Sequence, residues 1–145
     1  MEFPSDPLIG GTRISFERWP AVVMTTPPEV TDDELERFFE WWQRDVETLA
    51  EPFILVNDAR RTKNLTASQR KIISGWMDPS RDSPLLGTAL VFESKLLRGL
   101  LTAMFWINRP SYPVKVFNDL SQAIAWSQAT VAEHTSPPAE RRQAS

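Results

Sequence analysis

The 145-residue chain contains no cysteine and a single histidine, His134. The first absence excludes disulfides, thiolate metal sites and thiol catalysis. The second leaves no Ser-His-Asp or Cys-His set, because His134 stands beside a Pro-rich terminal stretch where nothing would orient it as a base. No apolar run approaches the roughly 20 residues that cross a bilayer. Met1-Glu2-Phe3-Pro4-Ser5-Asp6 has neither a basic nor an apolar segment, so no signal peptide is expected and the expected compartment is the cytoplasm. A net charge of −3 lacks the basic excess of a nucleic-acid binder. Gly10-Gly11 precedes a strand-like run rather than a helix and has no phosphate-loop spacing. The acidic residues Asp32, Asp33, Glu34, Glu36 and Glu40 read as a helix cap and a solvated face, since a hard-cation site needs carboxylates converging from loops. No metal and no cofactor are expected.

What is present is aromatic and amphipathic. Six Trp and eight Phe are many for this length, and most must be core because aromatic side chains carry the largest burial gain. One domain of this size hides roughly 68–70% of its unfolded surface. We place it over residues 11–134, between a flexible N-terminal stretch, 1–10, and a disordered tail, 135–145, too polar and Pro-rich to order itself.

Within the domain, Thr12 to Trp19 alternates, with Ile14 and Phe16 on one face, and Ala21 to Thr26 follows closely enough for an antiparallel hairpin. Thr31 and Glu34 form a capping box, with Val30 and Leu35 as its hydrophobic staple. The helix they open carries Leu35, Phe38, Phe39, Trp42, Val46 and Leu49 as one apolar stripe, and Trp41 falls off it. A buried-strand run, Phe53 to Asn57, leads to a second helix, Thr66 to Met77, with Thr66 and Gln69 at capping-box spacing and Ile72, Ile73, Trp76 and Met77 as its buried face. Gly87 to Phe92 is a further strand. The helix from Ser94 to Ile107 is the most apolar, with Lys95, Arg98 and Thr102 as one narrow wet stripe on an otherwise buried surface. Val114 to Phe117 is a short last strand, and a final helix from Asp119 or Ser121 carries Ile124, Trp126 and Ala129. The fold class is therefore α/β: a mixed four- to five-stranded sheet with about four helices, in the order β-β-α-β-α-β-α-β-α.

This order, with Phe53-Ile-Leu-Val-Asn-Asp-Ala-Arg60, Ala67-Ser-Gln-Arg70, Thr88-Ala-Leu-Val-Phe-Glu-Ser94, Leu97-Arg-Gly99, Val116-Phe117 and Ala123-Ile-Ala-Trp126, resembles the STAS-like, or SpoIIAA-like, bacterial domains over roughly residues 12 to 130. The resemblance implies a single STAS-like domain that acts by binding another protein. STAS antagonists carry an Asp-Ser-Ser/Thr-Gly-type phosphorylation motif after the central strand. Here the matching stretch, Asp58 to Ser68, has hydroxyls at Thr62, Thr66 and Ser68 but not that motif.

Two surface candidates follow. Arg60, Arg61, Thr62 and Lys63, with Thr66 and Ser68 at the next helix start, form a basic loop at the C-terminal end of a central strand, suited to an anion or to phosphorylation. Lys95, Arg98, Thr102, Phe105, Trp106 and Arg109 form a basic-aromatic stripe suited to a protein partner. The expected function is a non-enzymatic, regulatory or scaffolding interaction module in a bacterial cytoplasm, with a second copy of the chain among the candidate partners. The alternative is a small-ligand or lipid carrier of the SpoIIAA-like/CRAL-TRIO-like type. An enzyme would have to use Asp58 and Arg60 without histidine or metal.

Overall fold

The computed structural model describes residues 2–63, 65–76, 83–107 and 113–135. Five strands form one sheet in chain order: β1 Arg13–Ser15, β2 Ala21–Thr25, β3 Phe53–Asp58, β4 Leu85–Val91 and β5 Val114–Phe117. β1 pairs antiparallel with β2, as the hairpin reading predicts, and all later pairings are parallel. The helices are α1 Asp32–Trp41, α2 Ala67–Trp76, α3 Lys95–Ile107 and α4 Leu120–Thr135. The expected tail lies, beyond Thr135, outside the described residues. So does Met77, expected on the buried face of α2. Among the described residues no helix is long and apolar enough to cross a membrane.

β3 is central, and its apolar residues are covered on both sides, which is why Phe53-Ile54-Leu55-Val56 reads as a continuous run. On the first sheet face, Ile14, Val22, Met24 and Phe53 pack against Phe38, Trp41, Trp42 and Val46. Farther along that face Ala59, Leu65, Leu90 and Phe92 meet Ile73 of α2 and Leu100 of α3. On the second face, Ala21, Val23, Val56, Ala89 and Val91 receive Ala123 of α4. Residues 2–10 form no helix or strand; Phe3 stacks on Phe16 at 4.9 Å, and Asp6 pairs with Arg13 at 3.5 Å.

Both capping boxes form. Thr31 Oγ1 accepts from the Glu34 N–H at 3.1 Å, and the Glu34 carboxylate accepts from the Thr31 N–H at 3.1 Å. Thr66 and Gln69 exchange the same two bonds at 3.1 Å. Each cap satisfies backbone donors that a helix start leaves orphaned.

The helices depart from expectation in what they bury. The first strand ends at Ser15 rather than Trp19, because Phe16 to Ala21 closes a turn: Trp19 N donates to Phe16 O at 3.1 Å and Ala21 N to Arg18 O at 3.0 Å. Trp41 lies off the helical stripe by simple periodicity, yet it is buried. The helix continues past it as a π turn, Trp42–Val46, closed by Glu47 N donating to Trp42 O at 2.9 Å. The extra residue per turn rotates Val46 back toward the Trp41 side, so Phe38, Trp41, Trp42 and Val46 share one surface. In α2 the buried residue is Gln69, whose Nε2 donates to Val30 O at 2.5 Å; Ile72, Ile73 and Trp76 are half-buried. In α4 the buried positions are Ala123, Ser127 and Val131, an i, i+4, i+8 line; Ile124 and Trp126 are half-buried, and Ala129 is exposed.

α3 departs most. Instead of one narrow wet stripe, it presents a broad exposed face that includes Leu96, 73% exposed, and Trp106, 72% exposed, together with Lys95, Arg98, Gly99, Thr102 and Ala103. Composition implies burial all round, whereas among the described side chains of α3 it is Leu100 that packs against the cluster around Leu90, and the opposite side faces outward.

Candidate functional site

Three places on this frame could carry function. The first is the loop after β3. Asp58, buried at the strand's C-terminal end, receives both prongs of the Arg60 guanidinium: Nε donates to Oδ1 at 2.8 Å and Nη2 to Oδ2 at 2.9 Å. The Arg60 backbone N–H also donates to Oδ1 at 3.3 Å. Burial alone would raise the Asp58 carboxyl, but the Arg60 hydrogen bonds and the charges of Arg60 and Arg61 outweigh it and hold the group below its ordinary value. Arg60 is correspondingly raised, chiefly by its hydrogen bond and charge contact with Asp58, with Glu93 and Asp119 adding to the effect.

The basic loop is therefore less positive than its sequence. Arg60 is answered by three carboxylates, and the shallow cleft formed by Pro28, Arg60, Arg61, Thr62, Lys63, Glu93 and Ser94 is mixed in sign. Its hydroxyls are engaged too. Thr62 is buried, with Oγ1 3.5 Å from Pro27 O; Thr66 caps α2; Ser68 Oγ donates to Asp32 Oδ2.

The second place is the outer face of α3. Lys95, Arg98, Thr102 and Trp106 share its exposed side, and Thr102 Oγ1 donates back to Arg98 O at 2.8 Å. The Phe105 side chain and Arg109 lie outside what is described.

The third place is internal. A largely enclosed cavity of about 120 Å³ lies between the first sheet face and helices α1 and α2. Its lining is mostly apolar, including Leu55, Phe38, Trp42, Leu90 and Trp76. Thr88, Asn57 and Thr26 interrupt the apolar wall. Thr26 Oγ1 donates to Asn57 Oδ1 at 2.9 Å. Thr88 is 3% exposed, and among the described residues its Oγ1 is the buried side-chain polar atom without a hydrogen-bond partner.

No protein-family profile and no curated protein matches the chain. Among solved structures it is similar to a protein of the DUF3478 family from Shewanella loihica PV-4, described as uncharacterized and as having a SpoIIAA-like fold. The identity is 14%, the TM-score 0.61, and the match covers 88% of this chain and 98% of that one. The fold of this chain is SpoIIAA-like.

In this SpoIIAA-like domain, charge and strand-end position pick out the loop after β3 and helical spacing picks out the α3 stripe, but neither marks the cavity between the sheet and helices α1 and α2. The available signal was Thr88, a hydroxyl inside the otherwise apolar run Leu85 to Phe92. The Asp58–Arg60 pair was visible only as two neighbouring charged residues; the turn at Ala59 to Thr62, where Thr62 N donates to Ala59 O at 3.1 Å, folds one onto the other.

The pair gives the SpoIIAA-like domain an acid-sensitive element. An unfolded aspartate titrates near 3.9, and the folded Asp58 carboxyl titrates below that. Its stabilising contribution is thus complete above the unfolded value and is lost as pH falls through the folded one. Asp58→Asn should be less stable than wild type at about pH 7, and the gap should close toward about pH 2. Urea unfolding across that range measures it; a gap that stays constant with pH refutes the assignment.

Proposed function

We propose that this SpoIIAA-like domain is a non-enzymatic binding module that works by protein–protein contact, in a regulatory or scaffolding role in a bacterial cytoplasm. The observation that supports it is the exposure of Leu96 and Trp106 on the same outer face of α3 as Lys95 and Arg98. Tryptophan and arginine are both residue types enriched at interface hot spots. The matching partner surface combines an apolar contact with acidic residues. A second copy of the chain is one candidate. Nucleic acid is disfavoured by the net charge of −3. Catalysis is disfavoured because Asp58 and Arg60, the groups it would need, are bound to each other.

Arg98→Glu and Trp106→Ala test this reading. Each should change stability by only about 0.5 kcal/mol, as ordinary surface substitutions do. Affinity for a partner recovered with the wild-type protein should fall by about tenfold or more. Thermal melting and titration of the purified pair read both quantities. If both variants stay folded and bind that partner normally, α3 is not the interface.

A small-ligand carrier is the second reading, and the largely enclosed apolar cavity supports it. A volume of about 120 Å³ suits a molecule near the size of benzene, which occupies engineered cavities of about 150 Å³. It does not suit an acyl lipid.

A further inference from the structure

We propose that the cavity between the sheet and helices α1 and α2 binds a neutral, benzene-sized molecule carrying one hydrogen-bonding group, and that the Thr88 hydroxyl anchors that group. The inference rests on the small-ligand reading and names its site and ligand chemistry.

Three observations carry it. First, the cavity has room for a ring of about six heavy atoms, by comparison with the engineered cavities of about 150 Å³ that bind benzene. Second, the mostly apolar lining, which includes Leu55, Phe38, Trp42 and Leu90, favours an apolar body. Third, Thr88 places an unpartnered hydroxyl in the lining from a position 3% exposed. Buried hydroxyls are normally satisfied, and an orphaned one is costly. A ligand hydroxyl, carbonyl or amide would satisfy it, because a threonine hydroxyl both donates and accepts.

The strand register fixes the anchor. Thr88 lies opposite Leu55 on β3, and Asn57, on the same face, lies diagonally across from it. Thr88 N donates to Pro113 O at 3.0 Å, which holds the residue's backbone at the β4–β5 edge. The side chain is therefore presented from rigid strand rather than from a loop. The ligand's charge follows from the lining. Glu47 is the charged side chain among the described lining residues, so an anionic ligand would meet no cation there.

The test compares phenol with benzene, identical rings that differ by one hydroxyl. Each is titrated into the full chain and followed by ligand-observed NMR, with intermolecular NOEs to the Leu55 and Leu90 methyls locating the site. The wild type should bind both in the cavity. In Thr88→Val, which removes the hydroxyl and keeps the shape, the phenol-to-benzene affinity ratio should drop about tenfold, with benzene binding retained. Thr88→Ser, which keeps the hydroxyl, should keep the wild-type ratio.

The failures are separable. If the wild type binds neither probe, the cavity holds only water or nothing, and the small-ligand reading falls with the inference. If both probes bind but Thr88→Val leaves the ratio unchanged, the reading stands and the Thr88 anchor is wrong. If the NOEs go to residues outside the cavity, the site is wrong.

Discussion

Phe53→Ala should destabilise the protein by about 3–5 kcal/mol, the range for truncating a buried phenylalanine. Phe53 has no exposed surface and opens the central strand. Its ring lies 5.8 Å from Trp42 and 5.7 Å from Trp19, so it joins the π turn after α1 to the turn before β2. Alanine would remove those contacts and leave a cavity that the flanking strands, paired along both edges of β3, cannot collapse to fill. Because domains are stable by only about 5–15 kcal/mol, this variant should unfold at a much lower denaturant midpoint. Urea unfolding followed by tryptophan fluorescence and circular dichroism measures the change. A loss under about 1.5 kcal/mol would mean that the aromatic cluster is not packed as described.

Ala123→Asp should have an effect of similar size from the opposite sheet face. Ala123 is fully buried against Ala21, Val23, Val56, Ala89 and Val91. These are mostly small residues, which lets α4 lie close on the sheet. Val131 and Ser127 continue its buried line; Ser127 satisfies its own hydroxyl by donating to Ala123 O at 2.8 Å. An aspartate at 123 would bury a carboxylate with no cation among these neighbours, a situation that costs about 3–5 kcal/mol. Ala129→Asp, six residues further along the same helix, should cost only about 0.5 kcal/mol, because that position faces solvent. The paired measurement tests the orientation of α4. Equal losses, or a larger one at 129, would mean that the helix is rotated about its axis.

This second prediction marks a boundary between what periodicity reveals and what packing decides. The sequence marks α4 by Ile124, Trp126 and Ala129, but which of its faces meets the sheet is not written there. The sheet face it covers is lined by alanines and valines, so the closest approach selects Ala123 and Ser127. A helix packed on a surface of small residues buries its own small residues, and its larger ones spread to the flanks. The Lys115 ammonium of β5 covers one of these flanking rings, 5.7 Å from the centroid of Trp126, together with Phe117 of its own strand at 5.3 Å.

The same boundary runs through α1 and α3. Thr31, Glu34 and the stripe beginning at Leu35 announce α1 unambiguously, since capping uses short-range hydrogen bonds that the chain carries with it. The π turn that brings Trp41 and Val46 onto one surface is not written in local preference; it is imposed where the helix meets the sheet. For α3, composition pointed to burial, and only the arrangement of neighbours leaves Leu96 and Trp106 facing outward.

By itself, the sequence determined the order of the elements, the α/β class, both capping boxes, the antiparallel first pair and the identity of β3 as a strand covered on both faces. Each of these depends on residues within a few positions of one another, or on a period of two or 3.6. The tertiary structure alone decided that Arg60 is held by Asp58, that the outer face of α3 is exposed and that a cavity remains between the sheet and α1 and α2. These features depend on distances between residues far apart in the chain, or on a turn geometry that side-chain pattern does not encode. Thr88 lies on that divide: its place in a strand was legible, whereas the empty space beside its hydroxyl exists only once β4, β3 and the two helices are assembled around it.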